Sequence, residues 1–313
     1  MDKMTSSCER ILIIKLGALG DIILSLEAFH AIRVKHPNAH ISILTRPQFD
    51  SFVAKMPWFD EILRDPKPRF FQLRKWFDFR NSLRSKKFDR VYDLQCNDRT
   101  SLYFKIIGSP RPEWCGTAKG CSHQRHDHRH DPYPATERLL RFLESVDVPR
   151  AGEPDLSWFS GDLGNFMLPD KFVLLIPGCA PQHPHKRWPS SSFANLGKLL
   201  LEKDISAVAV GTKVDETAIN EICEITPSVI NLAGKTDLGQ LAEVARRSMG
   251  VVGNDTGPIH IAAMVEAPTL VLMSEKSDPV RMIPRGPNVG FLRKQDLADL
   301  TAEEVMASIR QRK

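Results

Sequence analysis

No stretch of the sequence has the run of about 18 apolar residues that a helix needs to cross a bilayer. The apolar run at 11–16 is short and is broken by Lys15. Residues 1–9 are polar and no cleavage site follows, so no secretory signal is expected. Cysteine is sparse: Cys8, Cys96, Cys115, Cys121, Cys179 and Cys223 are scattered over 313 residues. That spacing excludes a disulfide framework and fits a reducing cytoplasm. No short repeat is present. The G-x-G-x-x-G spacing of dinucleotide-binding folds is missing after the first apolar strand. The second strand ends at Thr45-Arg46, where an acid would be needed to hold a ribose, so an NAD-dependent oxidoreductase is disfavoured. Gly234-Lys235-Thr236 is not a phosphate loop, because the position requiring the leading glycine is Val229. The charge of +5 is mild. It suits an anionic ligand or an acidic surface, and no nucleic-acid-binding module accompanies it.

What is present is an ordinary globular composition, 42% hydrophobic and 26% charged, in a chain long enough for two domains. Short apolar strands alternate with amphipathic helices. Strands are predicted at 10–15, 40–44, 61–63 and 89–94, with helices at 21–35, 70–85, 99–107 and 134–146. Proline and glycine crowd into 146–170, which reads as a linker. A second series has strands at 172–176, 206–210, 250–253 and 269–273. Its helices are at 190–203, 215–225, 237–248, 258–265 and 301–313, the first capped by Ser190 or Ser191 and the last by a Thr301/Glu304 capping box. This alternation predicts an α/β protein of two doubly wound parallel domains, 1–160 and 161–313, facing each other across a cleft. The closing helix is free to pack back on the first domain. In such sheets ligands sit beyond the carboxyl ends of the strands.

Three post-strand segments therefore carry the chemistry. After the first strand, Lys15-Leu16-Gly17-Ala18-Leu19-Gly20-Asp21 turns tightly and opens a helix. Asp21 is either a helix-stabilising first-turn acid or a general base. After 172–176, Gly178 lies in an irregular loop in which Lys186 and Arg187 precede a helix. They are either solvated surface cations or a diphosphate site. After 250–253 comes Asn254-Asp255-Thr256-Gly257-Pro258-Ile259-His260. Thr256 and the helix start offer donors to phosphate, with His260 in the first turn; the plainer reading makes Thr256 a cap and His260 core filler. Asp215 and Glu216 follow another strand and either hold ribose hydroxyls or cap the next helix.

Two further segments stand out. Residues 115–131 hold Cys115, Cys121, His123, His126, His128 and His130, but their spacing matches no paired zinc-ligand pattern and no metal is expected. Residues 64–90 hold ten basic and three acidic residues interleaved with Phe70, Phe71, Trp76, Phe77, Phe79 and Phe88. This is either an amphipathic helix with its aromatics in the core, or a surface for anionic lipid or glycolipid.

With these segments in view, the chain resembles glycosyltransferase family 9, the ADP-heptose lipopolysaccharide heptosyltransferases. The resemblance rests on I-L-I-I-K-L-G-A-L-G-D at 11–21, D-L-Q at 93–95, P-G at 177–178, K-R-W-P at 186–189 and G-N-D-T-G-P-I-H at 253–260. It implies a GT-B fold with an N-terminal acceptor domain and a C-terminal donor domain. It implies inverting transfer of a heptose or related sugar from an ADP-sugar to a lipopolysaccharide core or related glycan. Asp21 would be the base, with Gly17 and Gly20 in the loop near the acceptor. Lys186, Asp255, Thr256, Gly257 and His260, with Gly178, would bind the donor, and Asp215 or Glu216 its ribose. Protein cations would replace a metal on the phosphates, so no cofactor is implied. An anionic glycolipid acceptor would place the chain in the cytoplasm, with peripheral contact to the inner membrane open. The loop at 179–185 departs from the family in its prolines and histidines. That keeps two alternatives in view: a same-fold glycosyltransferase with another donor or acceptor, and a non-catalytic nucleotide-binding protein.

Overall fold

The structure, a computed structural model, describes residues 8–125 and 132–309. It divides into two compact units, Met1–Trp158 and Phe159–Lys313. In the first unit the chain runs β1 (Arg10–Ile14), α1 (Leu19–Ile23), α2 (Leu26–Lys35), β2 (His40–Thr45), α3 (Asp50–Val53), β3 (Glu61–Arg64), α4 (Leu73–Ser85) and β4 (Arg90–Asp93). It continues through α5 (Asp98–Ile107), β5 (Glu113–Gly116), β6 (His123–Gln124) and α6 (Ala135–Glu144). The second unit begins with β7 (Phe172–Ile176), α7 (Ser190–Leu201), β8 (Ser206–Gly211), α8 (Glu216–Ile225), β9 (Ile230–Ala233) and α9 (Leu238–Arg247). It ends with β10 (Gly250–Asn254), α10 (Gly257–Met264), β11 (Thr269–Ser274), α11 (Pro279–Met282), β12 (Val289–Lys294) and α12 (Ala302–Ser308).

Every strand pairing is parallel. The first sheet has the order β3-β2-β1-β4-β5-β6 and the second β12-β11-β10-β7-β8-β9. Read from each unit's first strand, both are the doubly wound order of dinucleotide-binding folds, reversing direction beside that strand. β1 and β7 are therefore the central strands. The β7 sequence FVLLI is buried throughout, as a strand covered on both faces must be. Each of those side chains contributes about 1.5–3 kcal/mol through burial, so truncations here cost most. Helices pack in sets, α2 with α6, α4 with α5, α7 with α8 and α12, and α9 with α10. The closing helix lies in the second unit, with Val305 in the same core cluster as Trp188 and Phe193. Its Thr301/Glu304 capping box is formed, with backbone to side-chain bonds of 3.0 and 3.2 Å.

Most differences from the sequence reading have local causes. The helix expected at 21–35 breaks after Ile23, where the Ser25 hydroxyl donates to the Asp21 carbonyl at 2.7 Å and competes with the helical ladder. Neither Ser190 nor Ser191 caps α7; Pro189 precedes it and supplies no side-chain acceptor. β5, β6, β9 and β12 carry no alternating apolar signal long enough to read, and β12 is an edge strand with two exposed positions. The stretch from 145 to 171 holds no helix or strand, yet it is pinned. Trp158 packs edge-on against Trp58 at 5.7 Å, within the first unit. In the second unit, the Phe159 carbonyl accepts from Arg246 at 2.7 Å, and a Cβ at Gly161 would lie 2.3 Å from the Gln240 nitrogen on α9.

Candidate active site

Each unit presents chemistry where its strand order reverses. In the first unit that point lies between β1 and β4. The loop leaving β1 turns at Gly17, whose φ is +103°, and a Cβ there would lie 2.3 Å from the Phe49 ring. Only glycine suits that position. Gly20 lies inside α1 and its carbonyl takes the Leu24 N–H, so its role is helical. Asp21 stands in the first turn of α1, half-buried, with Oδ2 accepting the Ala18 N–H at 3.0 Å. This bond fixes the carboxylate and leaves Oδ1 for other partners.

Asp21 lines a polar pocket of about 240 Å³ together with Lys15, Gln95, Cys96, Arg125 and Arg138. Lys15 is buried and its ammonium donates to the Leu94 carbonyl at 3.1 Å. Burial pushes its pKa down, against the pull of the Asp21 charge. The D-L-Q segment forms the opposite wall. Gln95 accepts the Leu16 N–H at 2.9 Å, and Asp93 Oδ1 accepts the Gln95 and Cys96 N–H groups at 3.1 and 2.9 Å. Burial pushes the Asp93 carboxyl up to about 6 and the Cys96 thiol to about 12. Three basic side chains, Lys15, Arg125 and Arg138, thus share this pocket with the Asp21 carboxylate.

In the second unit the reversal lies between β7 and β10. Asn254, fully buried at the end of β10, donates to the Pro177 carbonyl at 2.8 Å and accepts the Trp188 N–H at 3.1 Å. One amide thus holds both ends of the loop 177–188. Lys186 pairs with Asp255 at 2.6 Å, and Ser277 donates to the same carboxylate oxygen at 3.0 Å. Arg187 does not join Lys186; its guanidinium donates to the Cys179 carbonyl at 2.7 Å and closes the loop on itself. Thr256 occupies the cap position of α10 but makes no capping bond, and its buried hydroxyl oxygen has no hydrogen-bond partner among the described residues. The plain cap reading therefore fails for Thr256. A buried hydroxyl at a helix start with no partner is an unmet hydrogen-bonding group. His260, in the first turn of α10, is buried at 4% exposure.

Asp215 and Glu216 separate clearly. Asp215 is buried and its Oδ2 accepts the Thr212 N–H at 2.9 Å and hydroxyl at 2.8 Å, the capping role. It also faces Gly178, where a Cβ would meet its carboxylate at 2.7 Å. Glu216 is exposed. Among the described residues no group of three or more His, Cys, Asp or Glu is placed to hold a metal ion, and His126, His128 and His130 lie outside them.

A model of glycosyltransferase family 9 (heptosyltransferase) matches residues 76–308. The chain belongs to glycosyltransferase family 9. Lipopolysaccharide heptosyltransferase 2 of Salmonella typhimurium is 26% identical over 291 residues, covering 86% of this chain and 83% of that protein. Lipooligosaccharide heptosyltransferase 2 of Haemophilus influenzae is 24% identical over 310 residues, covering 87% and 88%. Among solved structures, a family 9 glycosyl transferase of Veillonella parvula superposes with a TM-score of 0.82 at 22% identity, over 96% and 95% of the two chains. Escherichia coli heptosyltransferase WaaC with ADP does so with a TM-score of 0.75 at 20% identity, over 95% and 98%. The fold of this family-9 glycosyltransferase is thus GT-B, built of two Rossmann-like domains.

Sequence reasoning missed Lys15, Gln95, Arg125 and Arg138 as pocket residues of this family-9 chain, and Ser277 and Asn254 as holders of the second site. Lys15 left a signal, a charge where a buried strand should stay apolar. The others reach their places through tertiary contacts alone. Asn254→Ala should cost the second unit about 2–4 kcal/mol, since it orphans a buried N–H and a buried carbonyl together. Chemical unfolding measures this, and a loss below about 0.5 kcal/mol would refute the staple.

Proposed function

We propose that this glycosyltransferase moves a heptose or closely related sugar from an ADP-sugar to a lipopolysaccharide core or related glycan, inverting the anomeric carbon. The observation that carries the reading is the pair of sites at the two strand-order reversals: a carboxylate among cations in one unit, and a lysine beside an unmet threonine hydroxyl in the other. The relatives' names supply the sugar and the acceptor class, and the ADP complex of a structural neighbour supplies the nucleotide.

In this scheme the first unit takes the acceptor and the second the donor. Lys186, Thr256 and the Gly257 N–H hold the diphosphate, with Asp255 orienting Lys186 and His260 backing the loop. Gly178 allows the nucleotide close to the backbone, and Asp215, rather than the exposed Glu216, meets the ribose. The acceptor oxygen bonds to the anomeric carbon as the bond from that carbon to the diphosphate breaks. Asp21 takes the acceptor's proton, and Lys186 stabilises the charge that grows on the leaving group. Lys15, Arg125 and Arg138 hold the acceptor's anionic groups. A lipid-linked acceptor puts this work at the cytoplasmic face of the inner membrane.

ADP at about 100 times its dissociation constant should stabilise the chain by about 2.7 kcal/mol, while UDP and GDP at the same concentration do much less. Thermal melts compare the three nucleotides directly. A larger shift with UDP or GDP would replace the donor, and no shift with any of them would reject nucleotide binding.

A further inference from the structure

We propose that the aromatic and basic face at the start of α4, residues 67–77, docks on the surface of an anionic phospholipid membrane. The sequence left two readings of this stretch, and the structure divides it between them. Trp76, Phe79 and Leu83 turn inward, with Phe79 edge-on to Tyr103 at 4.9 Å and Trp76 to the same ring at 6.2 Å. The inward stripe of the helix is thereby filled. Phe70, Phe71, Leu73 and Phe77 are left in solvent at 93, 72, 76 and 58% exposure. Leu73 and Phe77 are four residues apart and share one helical face, turned away from the filled stripe.

These side chains are presented on an ordered support. The Gln72 N–H donates to the Arg69 carbonyl at 2.9 Å, the Trp76 indole donates to the same carbonyl at 3.1 Å, and the Arg69 N–H is taken by the Gln72 side chain at 2.9 Å. Around them stand Lys67, Arg69, Arg74 and Lys75, all exposed, and among the described residues none of the four pairs with a carboxylate. One acid, Asp78, lies next to Phe77. A cluster of large apolar groups ringed by unneutralised cations is costly in water. It matches the interface of an anionic bilayer, which buries the rings among the headgroups and attracts the cations. The charge disfavours a second copy of the chain, whose own face would carry the same positive charge, and the large exposed rings among the cations suit a bilayer interface, which takes up both.

The position adds a second argument. The segment 65–72 leaves the carboxyl end of β3, two strands from β1. The patch therefore lies at the same edge of the first sheet as Asp21 and its pocket. A membrane held there would bring a lipid-linked acceptor to that edge.

The test uses the full chain and vesicles. It should sediment with vesicles containing phosphatidylglycerol and far less with pure phosphatidylcholine, and added salt should weaken the binding. Phe71→Ser/Phe77→Ser should lower binding to the anionic vesicles by about tenfold or more, and Arg74→Gln/Lys75→Gln by a similar factor. All four positions are exposed, so both variants should keep the melting temperature and the rate on a water-soluble acceptor fragment. Failure of the unaltered chain to bind anionic vesicles overturns the proposal, as does undiminished binding by the two variants. Self-association of the unaltered chain that Phe71→Ser/Phe77→Ser abolishes, without vesicle binding, assigns the face to a second copy and overturns it too. No residue of the transfer reaction enters the test, so an inactive Asp21 variant should still bind vesicles normally.

Discussion

Asparagine in place of Asp21 should lower kcat by about 10²–10⁴-fold and leave ADP affinity nearly unchanged. The substitution suits the geometry. The Ala18 N–H at 3.0 Å still finds a carbonyl oxygen to donate to, so the turn from β1 into α1 survives. What disappears is the group able to take a proton. The groups proposed to hold the donor lie in the second unit and are untouched, so the loss should fall in turnover and not in nucleotide binding. Steady-state kinetics at saturating donor, together with an ADP titration, measure both quantities. A rate within about threefold of the parent's would remove Asp21 from the role of base, whereas a collapse of ADP affinity would make the residue structural.

Lys186→Ala should weaken ADP binding by about 10–100-fold, the size expected on losing a charge-assisted contact to a diphosphate. The substitution has a side effect that must be separated. Asp255 has a side chain only 2% exposed and relies on Lys186 at 2.6 Å. Stripped of that partner it is an uncompensated buried carboxylate, and stability falls. Lys186→Ala/Asp255→Asn resolves the two effects: the double variant should recover most of the melting temperature without recovering ADP affinity. Recovery of both would mean that Lys186 serves only to neutralise Asp255. An unchanged ADP affinity in the single variant would exclude Lys186 from the donor site.

Much of the candidate site was legible because its residues follow apolar strands. Asp21 and the Asp255–His260 element come soon after a run of buried residues gives way to polar ones, and Lys186 comes at the far end of the loop that follows β7; in a parallel sheet the carboxyl ends of the strands form the ligand edge. The paired Asp215 and Glu216 could not be separated on that basis; burial and the Thr212 contacts divide them. Thr256 shows the limit of local rules. Threonine before Gly-Pro at a helix start has every feature of a cap, and the bond is not made. Arg125 was invisible because it follows β6, a strand of two residues that no periodicity can reveal. The break between α1 and α2 was hidden too, since the apolar face runs through it and only the Ser25 hydroxyl marks the fault. The fold class needed none of these details, because alternation of strand and helix persists along both halves.

Both sheets share one strand order, and each carries its own ligand edge on its own buried core. In the proposed scheme, recognition of what is given and of what receives it is encoded in separate stretches of sequence. Such modularity lets evolution revise one preference while the other is inherited intact. If that scheme holds, relatives that recombine near the unit boundary at residue 158 exchange acceptors and keep their nucleotide.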